Sequence, residues 1–268
     1  MKKATLLLLL IIPIIGIGQK VYKLKKNQTA IVSTKILLLD TLILDDNSTL
    51  KIANAVQAFT IIAKYALIGN NVTIEGSKEL IDTANQNGTN GLPVTIDCKK
   101  GNNGENGKKG IDGQSATDIF LYVRIFSLGS LNINCSGTRA GNGGDGGNGS
   151  KGANAKVLSC AAQPGGKGGN GGNGGDAGNG GTVIFNYTFI DDFGNYLNNQ
   201  PTISKVSFNL SGGIGGNGGR RGQKGEAGNK LPGSTTDPNK YVEDSKQGLT
   251  GLNGKNGYSQ TIAVKQNF

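Results

Sequence analysis

The sequence predicts an all-β protein in two parts: an N-terminal unit of short strands, followed by an antiparallel assembly of strands and polyglycine-II helices. Three observations carry that expectation. Glycine supplies 46 of 268 residues and proline only 6, where a globular domain holds about 7% glycine. Short β-branched runs broken by Asn, Asp and Gly fill the first third, the pattern of closely spaced strands and turns. Beyond residue 98 glycine recurs at every third position, in five separate runs.

The chain opens with Lys2 and Lys3, an apolar stretch from Ala4 to Ile17, and small residues ending at Gly18 before Gln19. A short positive region, a brief apolar run and small residues at a cut site read as a secretory signal peptide over 1–18. The apolar run is shorter than the roughly 20 residues that span a bilayer and contains Pro13, so no transmembrane segment is expected after cleavage. Losing 18 residues and two lysines leaves 250 residues and lowers the formal charge from +10 to +8.

Residues 19–97 are expected to form a β-solenoid-like base. Ile31-Val32, Thr41 to Leu44, Thr49 to Ile52, Thr60 to Ala63 and Val72 to Ile74 are its short runs, with Asp45-Asp46-Asn47 and Gly69-Asn70-Asn71 as turn residues. The stretch from Thr60 to Gly76 resembles one coil of a right-handed parallel β-helix; a compact antiparallel sheet is the alternative.

Residues 98–268 form the glycine-rich part. Glycine falls at 101, 104, 107, 110 and 113, again at 143, 146, 149 and 152, and on two registers at once from 165 to 181. Further runs occupy 212–228 and 248–257. A period of three matches an extended helix of three residues per turn with no internal hydrogen bonds. Glycine columns then let neighbouring backbones touch, so that their N–H and C=O groups pair between chains. A collagen triple helix would need proline in the triplets, and a flexible linker would need no register. Val94 to Cys98, Leu131 to Cys135 and Val206 to Leu210 alternate apolar and polar residues just before a glycine run. Thr182 to Phe189, Ile119 to Phe126 and Thr261 to Val264 read as returning strands. Seventeen residues at about 3.1 Å each make an arm of roughly 50 Å.

Cys98 and Cys135 end two of these equivalent runs, which predicts a Cys98–Cys135 disulfide with Cys160 left over near the far tip. Cysteine spacings of 37 and 25 match no zinc or iron–sulfur pattern.

The absence of histidine excludes Ser-His-Asp and Cys-His nucleophile systems and His-ligated zinc. Asp45-Asp46 and Asp191-Asp192 are adjacent pairs that point to opposite faces of a strand, so they read as turn residues rather than a glycosidase pair. Gly171 to Asp176 opens like a calcium-binding nonapeptide repeat, but Gly178 stands where that repeat needs a large apolar residue. No α-helical pattern follows any glycine run, so no nucleotide site is expected. The basic cluster from Lys20 to Lys26 reads as a strand edge that discourages aggregation. No enzyme activity, cofactor, metal or nucleic-acid partner is expected.

The glycine runs resemble those of springtail antifreeze proteins and phage tail-fibre tip adhesins, and of the "collagen-like" secreted proteins of Bacteroidota; Gln19 after the cut has the same habit. The likeness covers about 99–258 and concerns the period. It implies a secreted structural or adhesive protein at the cell surface or in the periplasm, with outer-membrane or gliding-apparatus proteins or polysaccharide as partners. A carbohydrate- or ice-binding module is the second reading, although Asn, Lys, Asp and Arg fill the positions where ice binding calls for small residues and threonine. In the adhesins, loops at the tip carry recognition. Here these would be 156–164 and 229–247, with Cys160, Gln163, Asn229 and Lys230. Asp40-Thr41-Leu42 and Asp82-Thr83-Ala84 resemble the O-glycosylation motif of exported Bacteroidota proteins, with Thr41 and Thr83 as acceptors.

Overall fold

Turn residues, more than strand residues, decide how this chain winds. Asn27, Asn47 and Asn71 each take the left-handed conformation, with φ of 60°, 56° and 55°, which asparagine tolerates better than most residues. Each follows a strand of one sheet and precedes a strand of another, so the turns change sheet instead of closing hairpins. The three side chains stack: Asn47 Nδ2 donates to Asn27 Oδ1 at 3.1 Å, and Asn71 Nδ2 to Asn47 Oδ1 at 3.3 Å.

In the computed structural model, which describes residues 20–79, 86–197 and 203–264, eleven strands result. They are β1 (Val21–Leu24), β2 (Thr29–Val32), β3 (Ile36–Leu44), β4 (Thr49–Ile52), β5 (Ala58–Ile68), β6 (Val72–Glu75), β7 (Asp118–Leu128), β8 (Leu131–Asn134), β9 (Val183–Phe189), β10 (Val206–Asn209) and β11 (Ser259–Ala263). Odd strands form one six-stranded sheet in the order β1-β3-β5-β7-β9-β11, and even strands form a five-stranded sheet in the order β10-β8-β6-β4-β2. All pairing within both sheets is parallel, as in Leu131 opposite Val72 and Ile119 opposite Val183. Alternate residues such as Leu50, Ile52, Ile74, Ile119, Leu131, Ile133 and Phe185 are fully buried in one apolar cluster drawn from both sheets. The signal-peptide residues 1–18 lie outside the described residues.

The expected antiparallel assembly of strands and polyglycine-II helices is therefore corrected. The physical reason is the constant sense of winding, which brings each strand beside the one two places earlier, running the same way. The base is likewise not a closed β-helix: its six strands are the first members of two open sheets that do not break at residue 97, since β7 pairs with β5 and β8 with β6.

Among the described residues, six glycine-rich segments lie between the strands. Segments 86–91, 137–155 and 211–228 lead away from β6, β8 and β10, while 101–116, 163–181 and 246–257 lead into β7, β9 and β11. Segments of like direction pair in parallel: Gly101, Gly104, Gly107, Gly110 and Gly113 donate to Pro164, Lys167, Asn170, Asn173 and Asp176 at 2.7–2.9 Å. Those of opposite direction pair antiparallel: Gly166, Gly169, Gly172, Gly175 and Gly178 donate to Ser150, Gly147, Gly144, Gly141 and Thr138 at 2.8–3.0 Å. Segment 163–181 makes backbone bonds to four others.

Asparagine and aspartate complete the array. The amides of Lys167, Asn170 and Asp176 bond to Asn103, Asn106 and Asp112 Oδ1 at 2.7–2.9 Å. Those of Lys246, Leu249, Leu252 and Lys255 bond in the same way to Asn170, Asn173, Asp176 and Asn179 at 2.8–2.9 Å. A short side-chain acceptor thus satisfies the outer amide of the next segment, which is why the repeat reads Gly-Gly-Asn.

A Cβ built on Gly169 would land on the carbonyl of Glu105. Gly169→Ala is expected to cost about 1–3 kcal/mol, the range of overpacking in a tight interior. Asn148→Ala, which removes the acceptor for the Gln223 amide, should cost about 1 kcal/mol. Urea midpoints measured beside Gln223→Ala, expected to be neutral, check both.

Candidate functional site

The far end of the glycine segments is a tip built from two loops. Where segment 86–91 stops, residues 93–99 turn back, and Lys156 to Cys160 turn around Leu158. Cys98 and Leu158 both have positive φ, 61° and 60°, a conformation that costs a non-glycine residue energy and persists only where its surroundings hold it. A disulfide between Cys98 and Cys160 holds these loops together, with Cα atoms 5.7 Å apart, and Lys156 Nζ meets Asp97 Oδ2 at 2.6 Å beside it. Bridging residues 62 positions apart removes about 4 kcal/mol of chain entropy from the unfolded state.

The expected Cys98–Cys135 bond is corrected by this pairing. Val94 to Cys98 is not a strand; it is the turn at the tip. The true counterpart of Leu131 to Asn134 is β6, whose register sets Val72 against Leu131 and Glu75 against Asn134. Gly76 therefore occupies the place opposite Cys135, and a Cβ there would lie 3.1 Å from Cys135 Sγ. Cys135 is a free, buried thiol. Burial foremost, with the Glu75 and Asp118 carboxylates nearby, pushes its pKa up to about 12.

The other expected tip residues divide. Cys160 is in the disulfide. Gln163 is tied in by its backbone to Ala153 and Gly228 at 2.9 Å, and by its side chain to the Ala161 carbonyl at 2.9 Å. Asn229 donates its amide to Asn154 Oδ1 at 2.8 Å and accepts from Lys151 Nζ at 3.0 Å. Lys230 is exposed. Loop 229–247 does not project as a whole, because Asn239 bonds to Gly165 and Gly225 and Ser245 to the Gly222 carbonyl, tying it along the side of the array.

The residues that stand out at the tip are apolar: Leu92, Ile96, Val157 and Leu158 are all exposed, Leu158 completely. Sequence reasoning passed over them. Four large aliphatic residues on either side of glycine runs otherwise filled by Asn, Lys and Asp were the available signal.

Other residues singled out by the sequence have local roles. Thr41 sits within β3, its neighbours in register being Val21 and Tyr65; Thr83 lies outside the described residues. Asp46 Oδ1 accepts from the Asn70 amide at 2.7 Å, and Asp191 Oδ1 from the amides of Phe193 and Asn195 at 2.9 and 2.8 Å. Asp176 caps the Leu252 amide. Lys23, within β1, and Lys26, just after it, lie 3.8 and 4.0 Å from Asp45 and Asp46. On the first sheet Arg124 stacks between the rings of Tyr65 and Tyr196, 5.7 and 5.6 Å from their centroids, and donates to the Gly194 carbonyl at 2.6 Å, which fastens loop 190–197. Among the described residues no group of three or more Cys, Asp or Glu is placed to hold a metal ion, and no helix is long and apolar enough to cross a membrane.

No protein-family model, curated protein or solved structure matches the chain.

Non-reducing peptide mapping should link Cys98 to Cys160. Thiol titration should find no reactive group in the native protein and one after denaturation. A thiol whose folded pKa is raised keeps its proton while the unfolded chain loses it. Stability should therefore fall as pH rises from 9 toward about 12, by about 1.4 kcal/mol per unit. Cys135→Ala removes that slope, and urea titrations at stepped pH measure it.

Proposed function

We propose that the chain is an exported, non-enzymatic structural or adhesive protein of the cell surface. In this reading the two sheets are the base, the glycine array is a stiff spacer, and the pinned tip is presented to cell-surface proteins or polysaccharide. The observation that carries it is the exposure of Ile96, Val157 and Leu158 on loops held by a disulfide and an ion pair. Large aliphatic side chains fixed in water at the end of a rigid element cost solubility and serve contact with a partner. A disulfide also fits an oxidising compartment outside the cytoplasm.

The replacement of Val157 and Leu158 by Ser tests this. Binding of the purified protein to whole cells or outer-membrane vesicles should drop at least tenfold with the melting temperature unchanged. Unchanged binding in a folded double variant would end the tip reading. Surface protease shaving checks the location independently.

A further inference from the structure

One position in the glycine array is unfilled. Segment 86–91 pairs with segment 137–155 through Gly88 to the Asp145 carbonyl and Gly91 to the Asn148 carbonyl, both at 2.8 Å. In return, the amides of Asp145 and Asn148 bond to Asn87 and Asn90 Oδ1 at 2.8 Å. Three residues on, the same pattern requires Asn at 93 and Gly at 94, opposite Lys151. The chain supplies Pro93 and Val94 instead. Proline brings no side-chain acceptor. A side chain in the glycine column strikes the segment beneath, as a Cβ on Gly91 would strike the Asn102 carbonyl. The chain therefore swings outward after residue 91.

That departure opens a slot of about 660 Å³ between residues 90–97 and 148–156. Among the described residues, neither the amide nor the carbonyl of Lys151 and Asn154 has a hydrogen-bond partner. Their side chains are engaged elsewhere, both with Asn229, so it is the backbone that faces the vacancy. The slot is bounded at one end by the Gly91–Asn148 bond and at the other by the Asp97–Lys156 pair and the Cys98–Cys160 bridge. Exposed Ile96 lies among the residues that line it.

We propose that this slot binds an extended peptide with glycine at every third residue, seated where the chain's own first segment leaves the array. Its glycine amides would donate to the carbonyls of Lys151 and Asn154, and asparagine side chains just before each glycine would accept from their amides. The mode is strand addition, in which backbone bonds give affinity and the steric column gives specificity. A sugar would lack the aromatic platform such ligands use, since no aromatic residue lines the slot. The inference deepens the tip reading by naming a ligand class, but its test uses purified protein and does not depend on adhesion to cells.

The probe is a fluorescent peptide, Gly-Asn-Gly-Gly-Asn-Gly-Gly-Asn-Gly, titrated against the full chain by anisotropy. Saturable binding is expected, weakened at least tenfold, about 1.4 kcal/mol, when the glycine after each asparagine is replaced by alanine. The amides of Lys151 and Asn154 should gain protection from hydrogen exchange at saturation. In the double variant Pro93→Asn, Val94→Gly the chain's own strand should fill the slot. The Lys151 amide should then be protected without peptide, and peptide affinity should fall at least tenfold. No saturable binding to the wild type, equal affinity for the alanine peptide, or undiminished binding to the folded double variant would each overturn the proposal. The alanine-peptide comparison needs no variant and decides the matter if the double variant does not fold. Peptide binding that survives the Val157 and Leu158 substitutions supports the slot whatever those substitutions do to adhesion.

Discussion

Carbonyl oxygens occupy the places where side chains would begin, and the glycine half of the molecule depends on that contact. A Cβ on Gly144, Gly172, Gly175, Gly216 or Gly251 would fall on a neighbouring carbonyl, so each column is glycine by exclusion. Close approach turns a steric rule into a bonding one, because backbones that near one another satisfy N–H and C=O groups that an isolated extended chain would leave to water. Residues that cost the most conformational entropy to order are then held by bonds to several neighbours at once. Asparagine adds the missing acceptor without adding bulk to the column.

The two halves share one register. The β8–β10 ladder passes without interruption into the segments beyond it, since Cys135 donates to the Asn209 carbonyl at 2.8 Å and Gly137 to the Ser211 carbonyl at 2.9 Å. At the returning side Val183 donates to the Tyr258 carbonyl and Gly181 to the Cys135 carbonyl, both at 2.8 Å. Apolar burial in the sheets fixes which residue of each turn lies opposite which, and the glycine segments inherit that alignment. The short strands are stabilised by a core they could not build alone, and the segments by a register they could not choose alone. Lys78 ties the same seam: nearly buried, it donates to the carbonyls of Asn54 and Val56 at 2.7 and 3.2 Å, and burial holds its pKa below the usual lysine value.

Strand positions were largely legible because alternation is local. The runs around Ile31, Thr41, Thr49, Thr60, Val72, Ile119, Leu131, Thr182, Val206 and Thr261 are all strands. Pairing direction was not legible, because Asn27, Asn47 and Asn71 look the same in sequence whether they close a hairpin or change sheet. Val94 to Cys98 misled for a related reason: its alternation is as good as that of Leu131 to Cys135, but it stands one glycine segment too late, and β6 already holds the equivalent place. That single displacement moved Cys98 from the base to the tip and produced the wrong disulfide. The slot could be read only after the register was known, since Pro93 and Val94 are unremarkable until set opposite Lys151.

The array has a built-in stop. Inner segments carry Asn170, Asn173, Asp176 and Asn179 where the next segment needs acceptors, and segment 246–257 carries Lys246, Leu249, Leu252 and Lys255 at the corresponding places. Its outward row therefore offers no side-chain oxygen to a seventh segment, and exposes two leucines and two lysines instead. In segment 211–228, Arg220 and Gln223 stand where Asp145 and Asn148 stand one segment earlier. At the other edge β1 is flanked by Lys20, Lys25 and Lys26 and carries Lys23 within it, the usual charge guard on an exposed strand. An assembly of repeats that bonds so readily to its own kind would otherwise extend into fibres. The acceptors are withdrawn from the last row, whereas at the slot beside Lys151 the donors and acceptors remain in place and only the strand is missing.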